Sequence, residues 1–333
     1  MSRYEAAHLK PAGPGDARPT ALQIIEDEGA TGKLKGKIIV VTGVSAGLGI
    51  ETVRALERTG ASFYLLARDL AKAEKALADF FDPARMELVQ MDLGSLASVR
   101  QAANTILAKT GKINILVNNA GIMAVPDLRF TEDGHELQFG TNHLAHFLFF
   151  ELLKPALLAG VTDDFHSRVV NVASMGHLMG GINASDNYDY KNGGYTPYAA
   201  YAQSKTANIY MASEIERRYG RRGLHATSLH PGVIMTELVR FMTTEQLAEY
   251  GTEEERLKFK SPEQGAATTV WAAIGQEWAT KGGKYLLDCS VAKAAPADLQ
   301  GLGPYFVAHT YDPENEARLW RDSLKLVGLE ETQ

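Results

Sequence analysis

The chain has 333 residues, of which 45% are hydrophobic and 22% charged, an ordinary globular composition with enough length for one large domain or two small ones. A formal net charge of -6 argues against a nucleic-acid protein, which would turn a basic face toward the phosphates. Cys289 is the only cysteine, which excludes an intrachain disulfide and a thiolate cluster for zinc, and fits a reducing, intracellular setting.

Residues 1–20 are rich in Gly, Pro and Ala and read as a flexible or loosely docked extension. They lack the apolar core of a signal peptide, and no run of about 18 apolar residues follows, so a cytoplasmic protein without a transmembrane segment is expected. Residues 21–333 are expected to form one domain with a C-terminal extension, since no Ser/Gly linker divides them and no repeat is present. Short aliphatic or β-branched runs at 38–42, 63–67, 87–91, 115–118, 168–172, 226–230 and 284–287 alternate with helical patterns. Strands that are apolar throughout and separated by helices predict a seven-stranded, mainly parallel sheet with helices on both faces, the doubly wound, Rossmann-like α/β class. Two segments interrupt the alternation, near 177–197 and 237–261. Both follow the C-terminal end of a strand, where open α/β sheets bind ligands, and both are read as substrate loops.

The first strand runs directly into Thr42-Gly43-Val44-Ser45-Ala46-Gly47-Leu48-Gly49, followed by a helical pattern. Glycines at such a turn let the backbone approach a pyrophosphate, and the helix N-terminus adds unpaired N–H groups and a positive dipole end. Gly43, Ser45, Ala46, Gly47, Leu48 and Gly49 are therefore candidate cofactor contacts. At the end of the second strand an acid would accept from an NAD ribose hydroxyl, but the sequence there is Ala67-Arg68-Asp69. Arg68 offers a planar cation suited to a 2′-phosphate. Asp69, one position on, carries the NAD(H) alternative, and NADP(H) is the expected cofactor.

The stretch Tyr198–Tyr210 contains no Gly or Pro, is dense in Ala, and reads as the opening of a helix. Tyr201 and Lys205, four residues apart, share one helix face. A free tyrosine ionises near pH ~10, too high to exchange protons with an alcohol efficiently at neutral pH. A nearby ammonium and the positive ring of an oxidised nicotinamide would lower that value, and a shift of roughly 3 units corresponds to about 4 kcal/mol. Tyr195 and Tyr198 lack a lysine four residues downstream. Ser174 stands where an apolar strand leaves the sheet at its ligand-binding edge, after Ala173, and its hydroxyl can donate to a substrate oxygen as negative charge grows there.

Taken in order, the G-x-x-x-G-x-G turn, Asn118-Asn119-Ala120-Gly121, Ser174, Tyr201-x-x-x-Lys205 and Pro231-Gly232 resemble the short-chain dehydrogenase/reductase family. Within it, "ELQFGTNHLAHFLF", "AYAQSKTAN" and "SLHPGVIMTEL" are most similar to the branch containing retinol dehydrogenases, the WW-domain oxidoreductase and a chloroplast-envelope translocon dehydrogenase. The resemblance implies that Asp92, followed by Leu93, contacts the adenine, and that Asn119, Ala120 and Gly121 let the ribose pack on backbone. Sheet geometry is an equal reading of Asn119. It further implies that Lys205 holds the ribose, that Asn142 helps retain a water near Lys205 for proton relay, and that Pro231, Gly232, Val233 and Thr236 pass the carboxamide end of the nicotinamide. Ala145 departs from the usual Gly of the branch. A homodimer or homotetramer is also implied.

His143 and His146 lie three apart on one helix without an acidic or third His partner at motif spacing, so no metal is expected. His230 is read as structural. Leu178, Met179, Tyr188, Tyr190, Leu238, Phe241 and Met242 lie on the two loops and predict an apolar small-molecule substrate. The function expected is NADP(H)-dependent hydride exchange with a carbonyl or alcohol. The alternatives are an NADP(H)-sensing interaction protein and a non-redox biosynthetic enzyme on the same scaffold.

Overall fold

A computed structural model describes residues 2–241, 252–296 and 303–331. Seven strands occur where the apolar runs predict them: β1 (Ile38–Thr42), β2 (Ser62–Ala67), β3 (Met86–Gln90), β4 (Ile115–Asn118), β5 (Ser167–Val172), β6 (Leu224–His230) and β7 (Tyr285–Leu287). They form one sheet in the order β3-β2-β1-β4-β5-β6-β7, with every pairing parallel. The expected count of seven is one short. An eighth strand, β8 (Ser290–Val291), pairs antiparallel with β7. Its turn, Asp288-Cys289, has positive φ at both residues (52° and 50°), as the tightest hairpins require. Asp288 suits the first position of such a turn, but Cys289 stands at the second, where Gly is usual.

The strands alternate their side chains between two helix layers. Ile39 and Val41 join Val53, Leu56, Val270 and Trp271 in one core, whereas Val40, Leu116 and Val169 pack with Phe147, Phe150 and Ile215 in the other. β4, β5 and β6 are buried along their full length, the consequence of helices on both faces. Successive strands run outward from β1 to β3, and the chain then crosses to place β4 on the other side of β1. This reversal opens a crevice at the C-terminal ends of β1 and β4.

Residues 2–20, expected to be a flexible or loosely docked extension, are instead packed on the body. Tyr4 and Arg18 are buried, and the Gly13 N–H donates to the Leu257 carbonyl at 2.9 Å. Among the described residues no helix is long and apolar enough to cross a membrane.

Candidate active site

The crevice at the strand reversal is a cleft of about 530 Å³. At its floor the glycine turn depends on close approach. Gly43 has φ 77°, and a Cβ there would sit 2.8 Å from Ala120 Cα; a Cβ on Gly49 would overlap the Gly43 carbonyl. The helix Leu48–Leu56 begins at Gly47, which has no side chain to cap it, so its first N–H groups are left for an anion. The open helix N-terminus suits the charge of a dinucleotide pyrophosphate, and the turn itself keeps its close packing on Ala120 and the Gly43 carbonyl only with glycine at positions 43 and 49.

Thr42 fastens the turn to β4. Its Oγ1 accepts from the N–H groups of Asn119 and Ala120, each at 3.0 Å, while Asn119 Nδ2 donates to the carbonyls of Thr42 (2.9 Å) and Gly43 (3.3 Å). The Asn119 amide is thus engaged in holding the sheet and the turn together. His146 completes the network, with Nδ1 3.0 Å from the Asn142 carbonyl and Nε2 2.9 Å from Thr42 Oγ1. A carbonyl can only accept, so Nδ1 carries the hydrogen and Nε2 accepts from the Thr42 hydroxyl. Burial, followed by the charge of Lys205, pushes this imidazole down to about 4; it is neutral at pH 7. Neither Thr42 nor His146 was singled out as a functional position from sequence. The role of Thr42 lies in bonds to residues 77, 78 and 104 positions away, which leave no local signal.

Ser45, Ala46, Gly47, Leu48, Arg68, Asp92, Leu93, Ala120, Gly121, Pro231, Gly232, Val233 and Thr236 all line the cleft. Asp69 lines it too, but its carboxylate accepts from the Lys72 N–H at 3.0 Å and caps the helix Leu70–Leu77. Arg240, unassigned from sequence, joins Arg68 at this end. Its guanidinium is held below its ordinary value by burial first and by Arg68 second. Lys72 reaches across the cleft mouth to Glu237 at 2.6 Å.

At the opposite end, the helix Pro197–Tyr219 starts on a Thr196 cap and a first-turn Pro197, a strong start signal. It presents Tyr201 and Lys205 to the cleft. Lys205 Nζ lies 5.6 Å from the Tyr201 ring centroid and donates to the Val172 carbonyl at 3.0 Å. Burial alone pushes the ammonium down to about 8, so it keeps most of its charge at pH 7. Ser174 Oγ accepts from the Gly176 N–H at 3.0 Å. That bond uses a lone pair and leaves the hydroxyl hydrogen able to donate.

Gly176 is where these groups meet. A Cβ on it would stand 2.8 Å from Tyr201 Cε1 and 3.3 Å from Ser174 Oγ. Gly121 does the same for the second pair, its missing Cβ lying 3.2 Å from Asn142 Oδ1 and 3.4 Å from Lys205 Nζ. Asn142 sits in a π-helical turn, Gly140–Leu144, a distortion common at functional positions. Its amide exchanges both bonds with Ile122 (2.9 Å each) and donates to Ser204 Oγ at 2.9 Å.

Several loop residues expected around the cleft lie elsewhere. Tyr188 stacks on Phe139 and donates to Asp322, and Tyr190 packs edge-on against Tyr195; both are buried. Leu178 and Phe241 are not among the lining residues, and Met242 falls outside the described residues. Met179 and Leu238 do line the cleft, joined by Ile122, Met123, Met175 and Met235. The Tyr195 hydroxyl donates to the Val125 carbonyl at 2.6 Å, whereas Tyr198 lines the cleft. His143 bonds Ser323 at 2.9 Å. Among the described residues no three His, Cys, Asp or Glu side chains gather to hold a metal.

A glycine turn at the reversal point of a parallel sheet, facing a phenol beside a buried lysine, places the chain among the nucleotide-binding α/β oxidoreductases. Comparison with known proteins narrows the class. The short chain dehydrogenase family model matches residues 37–247, and the chain belongs to the short-chain dehydrogenase/reductase family, in its retinol dehydrogenase branch. It is 49% identical to the short-chain dehydrogenase/reductase prx1 of Penicillium roqueforti, over 99% of this chain and 96% of that one. Human retinol dehydrogenase 13 is 36% identical over 89% and 86%. The fold also matches the crystal structure of an uncharacterised Mycobacterium paratuberculosis protein, with TM-score 0.68, 30% identity and coverage of 92% and 98%.

Proposed function

We propose that this oxidoreductase is NADP(H)-dependent and exchanges hydride with the carbonyl or alcohol carbon of an apolar small molecule. The observation that carries the reading is the convergence of Ser174 Oγ and the Tyr201 ring edge on the space beside Gly176. A substrate oxygen bound in the cleft that these two side chains line would meet a hydroxyl donor and a phenol from one side. Ser174 donates to that oxygen and stabilises its developing negative charge. Tyr201 gives or takes the oxygen's proton. Lys205, charged at pH 7 and 5.6 Å from the ring, favours the phenolate during that exchange. Gly43, Gly47 and the helix N-terminus would hold the pyrophosphate, with Gly49, expected as a contact but outside the cleft lining, packing under the turn against the Gly43 carbonyl; Pro231–Val233 with Thr236 would hold the nicotinamide end. When bound, the nicotinamide supplies or accepts the hydride.

NADP(H) is favoured because Asp69 is occupied as a helix cap, while Arg68 and Arg240 bring two guanidinium groups to the adenosine end. The methionine-rich lining suits a substrate of adaptable apolar shape.

Following NADPH and NADH absorbance with a panel of aldehydes, ketones and quinones tests the reading. Turnover with NADPH is expected, and Tyr201→Phe lowers kcat by about 10²- to 10⁴-fold, the usual worth of a general acid. Arg68→Ala cuts kcat/KM for NADPH by about 10- to 100-fold, the loss of a charged hydrogen bond, and spares NADH. Full activity in Tyr201→Phe removes the mechanism; an Arg68→Ala variant that keeps the native preference removes the cofactor assignment.

A further inference from the structure

We propose that the N-terminal segment braces the nicotinamide end of the cleft, with Arg18 and His8 as positioning residues. The inference rests on the assignment of Pro231–Val233 to the nicotinamide end.

Arg18 is 4% exposed, far from the cleft in sequence and absent from its lining. Its guanidinium uses every edge. Nη1 donates to the Lys258 carbonyl (2.8 Å), Nη2 to those of Phe259 (2.6 Å), Gly13 (3.1 Å) and Leu257 (3.4 Å), and Nε to Asp16 (2.8 Å). Gln264, also buried, secures the same segment by donating to the Asp16 and Arg18 carbonyls and accepting from the Gly15 N–H. The stretch 257–259 is therefore clamped to residues 13–18 through its own backbone. The next residue is Lys260, and Lys260 touches the candidate cofactor loop at three points. Its N–H donates to the Val233 carbonyl at 2.9 Å, its Nζ lies 3.4 Å from the Pro231 carbonyl, and its Cδ stands 2.7 Å from where a Gly232 Cβ would be.

The far end of the lysine is held as well. Lys260 Nζ pairs with Asp288 Oδ1 at 2.6 Å, and His8 Nδ1 approaches that same oxygen at 3.2 Å. Asp288 is at φ 52°, a left-handed conformation that few residues besides Gly, Asn and Asp adopt, so the turn fixes where its carboxylate points. The N-terminal segment thus reaches the Pro231–Val233 turn through Lys260 by two routes: the backbone clamp at Arg18, and the buried His8 ring, which stands 3.2 Å from the Asp288 carboxylate without hydrogen-bond geometry. An arginine is needed for the first route, since a planar fork reaches several carbonyls that a single ammonium cannot. Hydride transfer is sensitive to placement, and a displacement of about 1 Å can cost about 10²-fold in rate. A brace on the turn that orients the ring acts on that sensitivity without touching cofactor or substrate.

The test titrates the full chain, Arg18→Lys and His8→Ala with NADPH and with 2′,5′-ADP, the half that lacks nicotinamide; NADH and ADP are run in parallel. Weakening of NADPH by about tenfold in Arg18→Lys, with a smaller loss in His8→Ala and unchanged 2′,5′-ADP in both, is the expected result. A fall in kcat accompanies it. Equal losses for dinucleotide and half-molecule, or none in either variant, overturn the brace while leaving the cofactor assignment intact. A native chain that binds neither dinucleotide overturns the assignment itself and the brace with it.

Discussion

Gly176 carries no functional group, yet it governs how near the Tyr201 ring comes to the Ser174 hydroxyl. Its backbone N–H holds Ser174 Oγ, and its bare Cα leaves the ring edge room that a methyl would fill. Gly176→Ala is therefore expected to push the ring aside and lower kcat by roughly tenfold or more, because reacting groups must be assembled within fractions of an ångström. NADPH affinity is expected to change far less, since the candidate phosphate contacts lie on other loops. Steady-state kinetics beside a fluorescence titration checks this, and an unchanged kcat defeats it. Ser174, Tyr201 and Lys205 were legible in the sequence because their chemistry and spacing are distinctive. Gly176 was not, since its importance is a distance to a side chain 25 positions away.

Among the elements, the glycine turn and the helix bearing Asn142 depend on each other through Thr42 and His146. Thr42→Val would leave the N–H groups of Asn119 and Ala120 without their acceptor and His146 without its donor. Leaving buried polar groups unpaired costs about 1–3 kcal/mol each, so this near-isosteric change should lower the melting temperature and weaken NADPH binding. Thr42→Ser restores both. A Val variant as stable and as tightly binding as the native protein would show that the hydroxyl is dispensable. At this scale the strands were readable from apolar runs, and the cofactor turn from its glycines. The β7–β8 hairpin escaped because two residues paired through a Gly-free turn leave no alternation to read.

For the whole molecule, burial makes acid the vulnerable side. His143, His146, His177 and His230 are all pushed down, to about 3, 4, 4 and 3, with burial the leading cause. A base whose folded pKa is depressed must take up its proton on unfolding, so stability falls as pH drops below the unfolded value of about 6.5. Glu136 opposes this. Burial raises it to about 7, so the folded state binds its proton first and gains stability as pH falls from about 7 to about 4.5. Four imidazoles against one carboxyl leave nearly three protons, or about 4 kcal/mol per pH unit near pH 5.5. Denaturant melts between pH 7 and 5 should show this loss, steeper still in Glu136→Gln. A flat profile would mean that the buried imidazoles do not titrate as their surroundings require.

By itself the sequence determined the class of fold, the order of strands along the chain and several of the residues that line the cleft, because those rest on local signals: apolar runs, a glycine turn, a phenol one helical turn from an amine. What it left open depends on segments brought together from far apart. The docking of residues 2–20 hangs on carbonyls of 257–259, and the burial of Tyr188 and Tyr190 on partners in other helices and loops. The engagement of Asp69 as a cap becomes visible only once the helix has started at Leu70. Such pairings carry no periodicity along the chain, and tertiary packing alone decides which surfaces meet.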